Sequence, residues 1–192
     1  RDVKNIEDAD FEVPSSIKAN LRGYQKVGYR WLRTMEEYGF GGILADDMGL
    51  GKTLQIITLL ARGHEEIKAP SLVVCPTSLA LNWQAEFMKF APHIKVLVMM
   101  GTVEERKKLL EEIEDYEVVV ISYDLLKRDI QFYEGIHFRY CIADEAQYIK
   151  NANTLGAKAL KVIDSDIRFA LTGTPIENSL AELWSIFDFI MP

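Results

Sequence analysis

Gly51-Lys52-Thr53 stands between an apolar run, Gly42-Ile43-Leu44-Ala45, and a helical pattern, Leu54-Gln55-Ile56-Ile57-Thr58-Leu59-Leu60. With Asp46, Asp47, Met48, Gly49 and Leu50 before it, the stretch has the layout of a phosphate-binding loop: strand, glycine-bearing turn, Lys-Thr, helix. The first turn of a helix leaves backbone N–H groups unpaired, and the helix dipole adds partial positive charge there. Gly49 and Gly51 let backbone approach phosphate oxygens with no side chain in the way. Lys52 would reach the outer phosphates and the Thr53 hydroxyl would face a magnesium ion. The general pattern G-x-x-x-x-G-K-[ST] expects glycine at position 46, where this chain has Asp46, a residue that tolerates unusual backbone angles. A glycine turn that merely caps a helix is the plainer alternative, and the combined strand, Lys-Thr and amphipathic helix speak against it.

A second chemical stretch is Asp144-Glu145-Ala146-Gln147, at the end of the apolar run Tyr140-Cys141-Ile142-Ala143. Beside a Lys-Thr phosphate loop, Asp144 would hold the magnesium, and Glu145 would orient and deprotonate an attacking water. An acidic pair can also serve only a helix dipole. A third stretch, Thr172-Gly173-Thr174, leaves the apolar run Ile167–Leu171.

These stretches need strands to carry them to one edge, and the chain supplies an alternation of strands and helices. A helix with Asn20 as N-cap and an apolar face of Leu21, Tyr24, Val27, Trp31 and Met35 ends at Gly39. The helix from Lys52 stops near Gly63. Strands are predicted over 71–75, 94–100, 118–121, 140–143 and 167–171. Helices are predicted from Leu79 to Phe90, from the capping box at Thr102 to Ile113, from Ser122 or Tyr123, over 154–162, and from the capping box Ser179-Leu180-Ala181-Glu182 onward. Trp83 and Trp184 fall on helical stripes and are read as core. Apolar strands alternating with helices imply an α/β, three-layer fold, a mostly parallel sheet with helices on both faces. In such sheets ligands bind outside the carboxyl ends of strands.

The chain has 192 residues, 48% hydrophobic and 27% charged, with mean hydropathy −0.02, enough for one substantial core. No apolar run approaches a membrane span, the start Arg1-Asp2-Val3-Lys4 is no signal peptide, and no membrane partner is expected. The chain starts without methionine, which suggests a piece of a longer protein. Cys75 and Cys141 lie in apolar runs, as buried thiols of a cytosolic protein do, and the three histidines lack metal-ligand spacing. The net charge of −7 argues mildly against a dedicated nucleic-acid module without excluding a local basic strip. Residues 1–18 are expected to form an N-terminal arm and 19–192 a single nucleotide-binding lobe.

In order, Asp46–Thr53, Asp144-Glu145-Ala146-Gln147 and Leu171-Thr172-Gly173-Thr174-Pro175-Ile176-Glu177-Asn178 resemble motifs I, II and III of the helicase-like ATPases of superfamily two. The form Leu171–Asn178, followed by Glu182-Leu183-Trp184-Ser185-Ile186-Phe187-Asp188-Phe189, resembles the SWI/SNF-type branch of remodellers and translocases. Asp46 is usual in that branch. Leu21-Arg22-Gly23-Tyr24-Gln25 resembles its Q motif, Pro76-Thr77-Ser78-Leu79 with Asn82-Trp83 its motif Ia, and Ile121-Ser122-Tyr123 with Leu125 its motif Ib. Gln147, where many members have His, is similar to prokaryotic members. The match runs from about Ala19 to Pro192.

The resemblance implies a RecA-like lobe that uses ATP and magnesium. Lys52 and Glu145 would be catalytic. The nucleotide would be bound by Gln25, Asp46, Asp47, Met48, Gly49, Leu50, Gly51, Lys52, Thr53, Asp144 and Gln147, and the metal by Thr53 and Asp144. Gln25 would read adenine, although a solvated helix residue is an equal alternative. Gln147 would sense the γ-phosphate, and Thr172, Gly173 and Thr174 would couple hydrolysis to nucleic acid. Thr77, Ser78, Lys150 and Asn151 would touch a DNA backbone, or else be caps and ordinary polar loop residues. The expected partners are double-stranded DNA and a second RecA-like lobe of the same polypeptide, carrying motifs IV to VI with arginine fingers. The lobe alone is expected to be nearly inactive. The implied activity is DNA-dependent ATP hydrolysis that drives translocation on duplex DNA and remodels or displaces bound protein. The implied location is cytoplasmic and nucleoid-associated in a prokaryote, nuclear in a eukaryote. Alternatives are a nucleotide-gated nucleic-acid-binding module without turnover, which the presence of Lys52, Asp144 and Glu145 disfavours, and a strand-separating RNA helicase of the same superfamily.

Overall fold

A computed structural model describes residues 12–39, 41–45, 51–66, 68–149, 151, 153–173 and 180–191. Six strands form one sheet in the order β1-β6-β5-β2-β4-β3, every neighbouring pair parallel. They are β1 (Gly42–Ala45), β2 (Ser71–Cys75), β3 (Val96–Val98), β4 (Val118–Ser122), β5 (His137–Ala143) and β6 (Asp164–Thr172). The helices are α1 (Gly23–Glu37), α2 (Lys52–Glu66), α3 (Ala80–Phe90), α4 (Val103–Glu111), α5 (Tyr123–Asp129), α6 (Leu155–Val162) and α7 (Leu180–Ile190). Because β2 and β4 alternate between two buried faces, each face holds its own apolar cluster. Val73, Cys75, Val118 and Val120 pack with α1, α2 and α3, while Leu72, Val74, Val119 and Ile121 pack with α5, α6 and α7. The three-layer α/β architecture expected from the sequence is the one found. Among the described residues no helix is long and apolar enough to cross a membrane.

Two expectations need correction. Helix α1 is capped at Arg22, whose N–H donates to Gln25 Oε1 at 2.8 Å, and not at Asn20. Its buried stripe is Gln25, Tyr29, Leu32, Arg33 and Glu36, while Tyr24 and Val27 are about half exposed at 48% and 54%. A polar stripe faces inward because each group has a partner. Arg33 Nη1 donates to Glu36 Oε2 at 2.6 Å, Arg139 Nη2 donates to Glu36 Oε1 at 2.5 Å, and the Tyr140 hydroxyl donates to the same carboxylate. This pairing fixes the end of α1 on β5, and so fixes where Gln25 stands at the other end. Trp184 is 68% exposed and not core, because Ser185, Ile186, Phe189 and Ile190 form the buried face of α7.

Strands β5 and β6 run further back than their apolar centres. At that end His137 Nδ1 lies 2.9 Å from Asp164 Oδ2 and Nε2 lies 2.8 Å from Asp166 Oδ1. Bonds to both carboxylates raise the His137 pKa, Asp164 first, against a smaller opposing effect of burial. A folded pKa above the unfolded value stabilises the fold fully below the unfolded value near 6.5. That stabilisation is lost as pH rises through the raised folded value. His137 is half exposed, so the pair contributes at most about 1 kcal/mol. The expected outcome is that the chain melts above its His137→Gln variant at pH 6 and level with it at pH 9.5. A gap that is constant with pH would contradict the assignment.

Candidate nucleotide site

Parallel strands put all their carboxyl ends at one edge, and the order β1-β6-β5 makes three chemical stretches neighbours. Ala45 at the end of β1 is in register with Thr172 of β6, and Ala143 of β5 with Ala170 of β6. Gly51 and Lys52 follow β1, Thr172 and Gly173 end β6, and Asp144 and Glu145 leave β5. Asp46, Asp47, Met48, Gly49 and Leu50, with Lys150 and Thr174, lie outside the described residues.

Lys52 is buried at the start of α2. A Cβ built on Gly173 would lie 3.3 Å from Lys52 Nζ and 3.7 Å from Glu145 Oε1, so the ammonium and the carboxylate flank one bare stretch of backbone. Glu145 has φ 50, a left-handed conformation that turns the chain sharply as it leaves β5. Its Oε2 accepts from Gln147 Nε2 at 2.5 Å, and the Thr172 hydroxyl donates to Gln147 Oε1 at 3.5 Å. The amide of Gln147 thus bridges the ends of β5 and β6.

Asp144 is 8% exposed. Its Oδ2 accepts from Trp83 Nε1 at 2.8 Å and its Oδ1 from the Glu145 N–H at 2.9 Å. Its own N–H donates to the Val74 carbonyl at 2.8 Å, and its carbonyl accepts from the Tyr123 hydroxyl at 2.6 Å. Burial raises the Asp144 pKa, the Trp83 N–H works against that, and the nearby charges of Glu145 and Lys52 act in opposite directions. Burial, aided by the Asp144 charge, pushes the neighbouring Cys75 thiol up to about 12. Trp83 is core as expected at 2% exposure, but its link to Asp144 and that of Tyr123 were missed from the sequence. A buried indole N–H that must find an acceptor was the available signal.

Gln25 is 7% exposed, so the solvated alternative does not hold. A cleft of about 510 Å³ between α1 and α3 is lined by Tyr24, Gln25, Gly51, Thr53, Asn82 and Glu86, among others. Thr53, which lines the cleft, and Asp144, at the end of β5, both offer oxygen ligands, the kind a hard divalent cation such as magnesium takes. Thr77 and Ser78 are exposed on a 3₁₀ turn after β2, the next strand along the edge. Asn151 is exposed too, but its Oδ1 already accepts from the Asn153 N–H at 3.0 Å.

Over residues 24–192 the sequence matches the SNF2-related domain. The chain belongs to that family. Its SNF2-related relatives include an uncharacterised ATP-dependent helicase of Mycoplasma genitalium, 47% identical over 90% of this chain and 17% of its own length. The TATA-binding protein-associated factor MOT1 of Saccharomyces cerevisiae is 43% identical over 95% of this chain and 10% of its own. The SWI2/SNF2 ATPase core of Sulfolobus solfataricus, solved in complex with dsDNA, superposes with a TM-score of 0.85 at 46% identity. That match covers 95% of this chain and 38% of the core, so the SNF2-related chain spans well under half of each of these relatives.

Gly51 yields a direct prediction. Its φ is +106, and a Cβ there would sit 2.3 Å from Gln25 Nε2. An L-residue forced into positive φ costs about 1–2 kcal/mol. Gly51→Ala is therefore expected to lower the unfolding free energy by that amount, read as a lower urea midpoint at unchanged slope, and to displace Gln25. An unchanged midpoint would show that neither constraint holds.

Proposed function

We propose that this chain is the ATP-binding lobe of a DNA-dependent ATPase that translocates on double-stranded DNA and remodels or displaces bound protein. The observation that carries it is the convergence of Lys52, Glu145 and Gly173 from three adjacent strand ends. Gln25 reads the adenine edge with an amide that offers both donor and acceptor. The loop from Asp46 to Thr53 cradles the phosphates, and Lys52 neutralises their outer oxygens. Thr53 and Asp144 hold magnesium, which when bound offsets charge on the phosphate oxygens. Glu145 takes a proton from the attacking water as that water's oxygen bonds to the γ-phosphorus. The bond from phosphorus to the bridging oxygen breaks and ADP departs. Gln147, tied to both Glu145 and Thr172, reports the state of the γ-phosphate to the end of β6.

DNA contacts are assigned to Thr77, Ser78, Lys150 and Asn151; Thr77 and Ser78 are exposed on the turn after β2, the strand next to the one that ends in Asp144. The DNA-bound state of the Sulfolobus relative supports the choice of duplex DNA. A second RecA-like lobe of the same polypeptide supplies the arginine finger, worth on the order of 10³–10⁵ in rate. Residues 1–192 alone therefore hydrolyse ATP slowly, with or without DNA.

The test is steady-state ATP hydrolysis by the two-lobed protein with no nucleic acid, duplex DNA, single-stranded DNA or RNA. Duplex DNA should stimulate most, and preferential stimulation by RNA would overturn the proposal. In the same assay Glu145→Gln is expected to lose about 10²–10⁴-fold in turnover while still binding ATP. Parental turnover would remove Glu145 from its role.

A further inference from the structure

Trp83 lies in the stretch that resembles motif Ia and reads from the sequence only as core, yet among the described residues it is the side chain found donating to the Asp144 carboxylate. The bond is 2.8 Å long, buried at both ends, and joins residues 61 apart in sequence. An indole N–H only donates, so it holds a carboxylate oxygen in one sense and cannot exchange roles. The Asp144 backbone is already fixed on both sides by Val74 and Tyr123. What remains free is rotation of the carboxylate, and Trp83 on Oδ2 with the Glu145 N–H on Oδ1 stops it. Each oxygen keeps one lone-pair direction for a further partner. Trp83 is itself held, 2% exposed and packed against Phe87 with ring centroids 6.2 Å apart.

We propose that Trp83 is a positioning residue for the metal: its N–H sets the Asp144 carboxylate in the orientation that receives the magnesium of the bound nucleotide. This rests on the nucleotide reading of the site. Helix α3 carries the donor inward while its Asn82 and Glu86 border the nucleotide cleft, and it starts directly after the turn bearing Thr77 and Ser78. One rigid element thus connects the cleft wall, the exposed turn and the carboxylate. Partners that orient metal ligands typically contribute about 10–100-fold to metal affinity.

The experiment uses residues 1–192 and mant-ADP fluorescence, first in EDTA and then with added MgCl₂. Trp83→Phe keeps an aromatic ring in the core while removing the N–H and part of the indole. It should bind mant-ADP in EDTA like the unaltered chain, but need about 10–100-fold more Mg²⁺ for half of the metal-dependent tightening. An unchanged Mg²⁺ requirement overturns the positioning role, and so does an equal loss of affinity in EDTA, which would mean Trp83 only packs. If the unaltered chain fails to bind mant-ADP, the nucleotide reading falls and the proposal with it. Should Trp83→Phe not fold, the Trp31→Phe, Trp184→Phe double variant leaves Trp83 as the one indole. Its ¹⁵N–¹H resonance should move when Mg²⁺ is added to the ADP-loaded chain and stay fixed without ADP. A resonance indifferent to Mg²⁺ overturns the proposal.

Discussion

A buried carboxylate is costly unless it is hydrogen-bonded, and Asp144 is held, side chain and backbone, by four separate parts of the chain. Its N–H goes to β2, its carbonyl takes a hydroxyl from the start of α5, and its two oxygens take donors from α3 and from the turn after β5. The sheet order makes this possible. With β5 between β6 and β2, Asp144 emerges beside the strand that carries Thr172 and beside the strand that leads to Trp83. Moving β5 one place in the sheet would separate the carboxylate from either its support or its chemistry.

The far end of the sheet does matching work for the cleft beside Gln25 and Gly51. Glu36 gathers Arg33, Arg139 and Tyr140, and thereby seats α1 against β5. Buried ion pairs add little net stability, and what the Glu36 contacts do here is tie one end of α1 to β5. That tie decides where Gln25 meets Gly51, a contact close enough that a Cβ on the glycine would push the Gln25 amide aside.

Apolar runs bounded by turn residues revealed the strands and the fold class, because a parallel sheet covered on both faces leaves continuous hydrophobic segments. The chemical stretches were legible too, since Lys-Thr after glycine and Asp-Glu after a strand are local patterns. Pairings between distant segments left no local trace. Hydrophobic spacing misread α1 because its buried stripe is Gln25, Arg33 and Glu36 as well as Tyr29 and Leu32, and Glu36 gains its further partners, Arg139 and Tyr140, only once β5 is in place. The same logic hid the beginnings of β5 and β6, where His137, Arg139, Asp164 and Asp166 pair across strands. Trp184 looked like core because α7 is apolar on more than its buried face.

The central claim is that the edge formed by β1, β6 and β5 binds the phosphates of a nucleotide. Calorimetric titration of ATP·Mg²⁺ into residues 1–192 and into Lys52→Ala tests it most directly. A charged hydrogen-bond donor is worth about 1.5–3 kcal/mol, so removing the Lys52 ammonium should weaken binding by about tenfold or more. Equal affinity in the two titrations would mean that Lys52 faces no phosphate and that the edge serves some other ligand.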